Sequence, residues 1–411
     1  MKRKFLETIK KGLGKAYIEL STAENREEYK DTLLYACFHD CSYEYLVEGS
    51  KGDYLFALIN LFEDKDCFKQ EIIKYLNNAL PEISLFAQLV DILEAFYFDG
   101  DKDVKTFFAE YYDSFIAKGR WTKNKKLCYE YLCITMDRMY GLKKTLKILD
   151  DIDRLKIDKD DVLWFICRVS SRYKKNERVK NFHAEKQDKK TKQEYTHTFD
   201  EFLTLSREKK YFRAFAFRAT EDEYNKCLSY LQTTDNKEDV RNILRQFQHN
   251  DCPKRIPVDV LFSLLGKHGK EIDCEIYETL SYIKSEKVER LALTLLNDKE
   301  NRVSAIHMLM VNYKKEYKNL LVNAYKKVVF SFNYHTLLTR YTIDFMYSTK
   351  KDLPNEILFY AYEKSYCAFN REYIIDCMKK RNLLTKEMLN ELQYDSDYET
   401  SKKAQRWLKK M

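Results

Sequence analysis

The sequence is short of the residues that bend a chain. Its 411 residues include nine Gly and four Pro, against the roughly 12% that the two supply together in average proteins. Architectures of many short strands need a tight turn after each strand, so sandwiches, barrels and propellers are excluded and helices joined by short connections remain. Long apolar runs are also missing. The strongest candidate, Leu89 to Phe98, is interrupted by Asp91 and Glu94, whereas a membrane-crossing helix needs about 20 mostly apolar residues. The opening segment, MKRKFLETIKKGLGKAYIEL, is basic but has neither a continuous apolar stretch nor a small-residue cleavage site. These absences predict a cytoplasmic protein. No G-x-x-x-x-G-K-[ST] or G-x-G-x-x-G loop occurs, which excludes those phosphate cradles. The seven histidines are scattered and none adjoins a nucleophile elbow. No catalytic residue and no cofactor is assigned. Eleven cysteines, an odd number without framework spacing, suit a reducing compartment and predict no structural disulfide.

What is abundant is Lys, Glu, Leu, Ile, Tyr and Phe, with 32 Tyr and 25 Phe. Aromatic and branched side chains must therefore fill the core. Codon bias in an AT-rich genome produces the same excess of Lys, Tyr, Asn and Ile, so the tyrosines do not by themselves imply a function. Apolar residues recur at i, i+3, i+4 and i+7 in blocks of about 10 to 18, the signature of short amphipathic helices. Val288, Leu291, Ala292 and Leu295 share one face, as do Ile357, Leu358, Ala361 and Tyr362 after Pro354. Phe5, Ile9, Leu13, Tyr17 and Leu20 form a stripe beside Lys2, Arg3, Lys4, Lys10, Lys11 and Lys15. That first helix reads as the cap of a helical array, with a membrane-surface helix as the other reading. About twenty helices are expected.

The net charge of +8 is concentrated. From Arg172 to Lys192 there are nine Lys/Arg against three acids, so the rest of the chain carries only +2. Val179, Phe182 and Ala184 are the only apolar residues there and they form no stripe, which predicts a basic loop or linker over 171–195. It divides an N-terminal half, 1–170, from a C-terminal half, 196–411.

A local pattern recurs in which an acid or Ser caps a polar stretch leading to an apolar and often a basic residue. It stands at Asp101–Lys105, Asp235–Arg241, Ser285–Arg290, Asp298–Arg302 and Asp395–Glu399. Such caps satisfy orphan N–H groups and complement the helix dipole. The pattern resembles the inner-helix openings of HEAT repeats, most clearly over about 235–411. Ser285 stands where Asp is usual, and after Asp395 the chain has Glu399 and Thr400 where a basic residue is expected. The stretch from Tyr360 to Ala404 also looks like the ends of uncharacterised HEAT-like proteins of low-GC bacteria. The resemblance implies an all-α, right-handed α-solenoid of degenerate HEAT/armadillo-like helix pairs in two lobes. It also implies a concave face for an extended protein partner, with Arg241, Arg290 and Arg302 serving as partner contacts or as rungs of a structural ladder.

The densest candidate site is the run from Cys37 to Tyr54, which holds His39, Glu44, Glu48, Lys51 and Asp53. Cys37, His39 and Cys41 suggest metal, but no second ligand pair follows, and no metal is assigned. The turn Glu48-Gly-Ser-Lys-Gly52 reads either as a partner contact or as a helix connection. Asp99, Asp101, Asp103 and Glu110 match calcium-loop spacing, but Val104 occupies the glycine position. Non-enzymatic protein binding is thus the expected function. The alternative is nucleic-acid binding through Lys174, Lys175, Arg178, Lys180, Lys189, Lys190 and Lys192, joined by Lys209, Lys210 and Arg213, where basic groups interleave with aromatics.

Overall fold

The computed structural model describes residues 2–118, 120–187, 198–208, 215–248, 252–328, 332–349 and 353–411. Among them the chain forms twenty-six α-helices, two short 3-10 turns and no strand. The all-α expectation holds, and short helices of one or two turns add to the number expected. Among the described residues no helix is long and apolar enough to cross a membrane.

Two compact units divide the chain: Met1–Thr191 with Tyr366–Glu372 and Leu384–Met411, and Lys192–Ser365 with Tyr373–Leu383. Residues 384–411, assigned from sequence to the C-terminal half, therefore complete the first unit. The boundary between Glu372 and Tyr373 falls inside one helix, Ala368–Lys380.

In the first unit one series of helices packs side by side: α1 (Lys2–Lys11), α3 (Glu27–Cys37), α5 (Gly52–Ile59), α7 (Ile83–Phe98), α9 (Lys123–Tyr140) and α11 (Leu163–Arg172). Between them come α2 (Lys15–Ser21), α4 (Tyr45–Glu48), α6 (Asp66–Asn78), α8 (Asp103–Ala117), α10 (Leu142–Arg154) and α12 (Glu177–Gln187). The core they enclose contains Phe5, Leu33, Leu58, Leu93, Leu132 and Phe165, all fully buried. The second unit alternates similarly through α13 (Phe199–Arg207), α14 (Phe215–Arg218), α15 (Glu221–Thr233), α16 (Lys237–Gln246), α17 (Val258–Leu264), α18 (Lys270–Leu280), α19 (Glu286–Leu295), α20 (Arg302–Val311), α21 (Lys318–Lys326), α22 (Phe332–Thr349) and α23 (Asn355–Lys364). There α16, α18, α20 and α22 pack in succession.

Three sequence expectations are corrected. The first stripe is two helices, broken where Gly12 takes φ +70°, a conformation that costs glycine little. The cap of α16 is Asn236, which accepts from the N–H groups of Glu238 and Asp239, one residue after Asp235. The basic segment is not a loop throughout, because α12 spans Glu177–Gln187 and buries Val179 and Phe182. Two apolar side chains one turn apart suffice there because the Lys159 ammonium lies 3.9 Å from the Phe182 ring centroid and Arg178 pairs with Asp150 and Asp153.

One device recurs in both units. Arg26 donates from Nε to the Leu20 carbonyl, from Nη2 to Ser21 and from Nη1 to Leu61. Arg302 does the same to Leu296, Asn297 and Lys327. Each guanidinium thus fills the open carbonyls of the preceding helix end and reaches forward to the next pair.

The C-terminal helices Lys386–Leu392 and Tyr398–Leu408 pack within the first unit against the α1–α2 turn. Ser396 N donates to the Gly12 carbonyl at 2.8 Å, and Tyr17 stacks on Tyr394 at 3.8 Å between centroids. A Cβ on Gly14 would stand 1.9 Å from the Glu391 carbonyl oxygen, so only glycine permits this approach. Beneath it Arg371 and Asp395 pair at 2.9 Å, both fully buried on their side chains.

Candidate functional site

The turn between α4 and α5 spends its charges internally. The Glu48 carboxylate accepts from Tyr43 N and, at 2.8 Å, from Ala368 N. The buried Lys51 ammonium donates to the Lys10 and Cys41 carbonyls at 2.6 and 2.7 Å, with Glu48 at 3.7 Å. Glu44 is exposed as the N-cap residue of α4. His39 is exposed and stacks on Tyr35 at 3.6 Å. Its neighbours are held by the buried Gln88, whose amide donates to the Ala36, Cys37 and His39 carbonyls and accepts from Cys41 N. Burial pushes the Cys41 thiol up to about 11 and raises Cys37 further. Among the described residues no group of three His, Cys, Asp or Glu is placed to hold a metal ion, and all eleven cysteines are free.

Asp53 is brought elsewhere. A Cβ on Gly52 would lie 2.4 Å from the Asp91 Cβ, so the first turn of α5 lies directly against α7. The Tyr131 hydroxyl donates to both Asp91 oxygens at 2.7 Å, Ser50 Oγ donates to the same carboxylate, and Arg138 reaches it at 3.2 Å. Arg138 also pairs with Glu94, one turn along α7 and only 4% exposed. Glu94 Oε1 is buried without a hydrogen-bond partner. Tyr45 sets its ring against Tyr131 at 6.3 Å. Asp91 and Glu94 thus share the Arg138 guanidinium, and the exposed Asp53 of α5 couples electrostatically to the same pair of charges, Asp91 and Arg138.

That imbalance sets the electrostatics. Burial pushes the Glu94 carboxyl up to about 8, overriding Arg138, and Asp91 adds to the rise. Asp53 is raised by partial burial of its carboxyl and by Asp91, with Arg138 opposing. Burial raises the Tyr131 phenol well above its ordinary value, and Asp91 reinforces the effect. The Tyr131 phenol therefore stays a donor to the Asp91 carboxylate, Glu94 holds its proton at neutral pH, and Asp91 with Asp53 supplies the negative charge suited to receive an ammonium or guanidinium. Large apolar side chains stand exposed on the elements around it: Leu46 and Val47 of α4, 75% and 47% exposed, and Trp164 at the start of α11, 66% exposed. Glu130 of α9 accepts from the Trp164 and Phe165 N–H groups, which fixes that helix start.

Other sequence-selected residues are dispersed. Arg241 pairs with Glu238 at 3.0 Å and with Glu271 of α18 at 2.6 Å, Arg290 is exposed on α19, and Arg302 is the carbonyl staple already described. Lys174 and Lys180 line a cleft of about 430 Å³ between α11 and α12, with Cys167, Ser170 and His183. Lys175 is exposed nearby in sequence. Lys189, Lys190, Lys192, Lys209, Lys210 and Arg213 lie outside the described residues. Sequence reasoning missed Tyr45, Asp91, Glu94, Tyr131 and Arg138 as a site. A signal existed, since Asp91 and Glu94 stand three residues apart in the most apolar stretch of the chain, which puts both on one face of a helix.

Comparison with protein-family models, with curated proteins and with solved structures finds no match.

Proposed function

We propose that the protein is a non-enzymatic binding scaffold, a HEAT-like α-solenoid whose inner helices receive an extended protein segment carrying basic and apolar side chains. The carrying observation is the acidic cluster on α7, Asp91 and Glu94 on Arg138 with Asp53 of α5 electrostatically coupled to Asp91, together with Leu46, Val47 and Trp164 exposed on the neighbouring α4 and α11. Desolvated carboxylates reward a partner's guanidinium more than water-exposed ones do, and large exposed apolar groups mark interaction surfaces more often than bare solvent faces. The recurring helix alternation and the matching staples at Arg26 and Arg302 support the solenoid reading, because stacked repeats need equivalent joints.

The test is selection of a displayed random-peptide library on the purified full-length chain. Wild type should enrich peptides in which Lys or Arg alternates with large apolar residues. The Asp53→Asn, Leu46→Ser double variant should lose that enrichment by about tenfold, the weight of one good charge-assisted contact. Enrichment without basic residues, or identical enrichment by the variant, would overturn the reading.

Nucleic-acid binding is the second reading, favoured by the α11–α12 cleft with Lys174, Lys180 and His183. It is the weaker one, because Arg178 is engaged by Asp150 and Asp153 and Lys180 by Glu177. Single-stranded RNA that bound with a steep salt dependence abolished by Lys174→Ala with Lys180→Ala would promote it.

A further inference from the structure

A separate cavity of about 370 Å³ opens where the end of α6, the middle of α8 and the segment entering α9 meet. Its lining carries three cations, Lys118, Arg120 and Lys125, and no carboxylate. Lys125 is 6% exposed. Its ammonium donates to the Lys118 carbonyl and faces the rings of Trp121 and Phe115, with centroids at 4.6 and 5.2 Å. Among the described residues no acidic side chain pairs with any of the three. Two other buried lysines of this unit do have acids: Lys51 has Glu48, and Lys69 has Asp66 and Asp101. A buried charge held only by a carbonyl and ring faces is under-compensated. Consistent with that, burial draws the Lys125 pKa down. The rest of the lining includes Leu80, Tyr111 and Phe115, which offer an apolar, partly aromatic wall.

We propose that this cavity binds a small organic anion, a phosphate or carboxylate borne on a flat apolar body. The volume is of the size that holds a small ligand. Arg120 is exposed and makes no ion pair among the described residues, so its planar fork is available to grip two oxygens of the anion. Lys125 supplies the counter-charge from within the wall. Tyr111 and Phe115 pack against the ring, so recognition needs both the charge and the body. The site is independent of the acidic cluster on α7 and α9 and does not rest on the scaffold reading.

Calorimetric titration of the full-length protein with phenyl phosphate, benzoate and inorganic phosphate tests this. At least one aryl anion should bind saturably, weakening as salt rises, and should exceed inorganic phosphate by about tenfold or more, the contribution of the buried ring. Stronger binding of phenyl phosphate identifies a phosphate group as the natural anion, and stronger binding of benzoate a carboxylate. Arg120→Ala, on the surface and without a structural bond to lose, should weaken binding by about tenfold. Lys125→Met, which keeps the stem, should abolish it while retaining cooperative unfolding. If Lys125→Met fails to fold, Arg120→Ala decides alone. No saturable heat from either aryl anion, equal affinity for inorganic phosphate, or binding unchanged in Arg120→Ala overturns the proposal.

Discussion

Glu94 couples the acidic cluster to pH. Its carboxyl titrates at about 8 in the fold against 4.5 in its ordinary state, so across that window the folded protein holds a proton that the unfolded chain has released. Stability from this group is complete below the lower value and is lost as pH rises through the higher one. Glu94→Gln removes the titration while preserving shape. Urea midpoints measured near pH 5 and near pH 9 should therefore fall more in wild type than in Glu94→Gln, and equal falls would assign the pH dependence elsewhere. The two acids were legible as interruptions of an apolar run. That they meet Tyr131 and Arg138 was not, because those partners lie about forty residues away on another helix.

At the scale of elements, acids and arginines of successive helices do pair, as Arg241 with Glu271 and Arg207 with Asp239, but other links share the work. Arg302 reaches carbonyl oxygens rather than a carboxylate, and tyrosine hydroxyls carry many of the helix-to-helix links. Tyr97 donates to the Met139 carbonyl, Tyr173 to Asp137, Tyr230 to Asp239, and Tyr341 to Glu278. A phenol is long enough to cross between helices kept apart by bulky side chains and stays neutral, so it satisfies a buried carboxylate such as Asp137 or Asp239 without adding charge. Much of the tyrosine excess thus has a structural use whatever its codon origin. The arginine staples should be equivalent. Arg26→Ala and Arg302→Ala each remove hydrogen bonds from a charged donor, and each should cost about 1.5–3 kcal/mol in denaturant unfolding. A negligible loss for either would show that water replaces the guanidinium at those helix ends.

For the whole molecule, the decisive contact joins segments far apart in sequence. Arg371 and Asp395 meet fully buried beneath the turn at Gly12, and burial raises the Asp395 carboxyl against the pull of Arg371. Removing one partner leaves the other uncompensated, so Arg371→Met should destabilise the first unit by about 3–5 kcal/mol, read as a lower urea midpoint. A change within error would mean that the C-terminal helices are held by apolar packing alone. Helix content, the absence of strands among the described residues and the buried faces of helices such as α23, with Ile357, Leu358, Ala361 and Tyr362, were settled by the sequence, because a helix bonds within itself and its 3.6-residue periodicity names its buried face. The sequence also marked α12 as basic, yet Val179 and Phe182 found a core that no local pattern could foretell. Tertiary structure alone decided that Lys51 and Glu48 would serve the fold, that Asp53 would join Asp91, and that residues 384–411 would complete the first unit. The physical reason is that a charged side chain's role depends on what desolvates and pairs with it. Those partners are brought near by packing between helices, which local propensity does not encode.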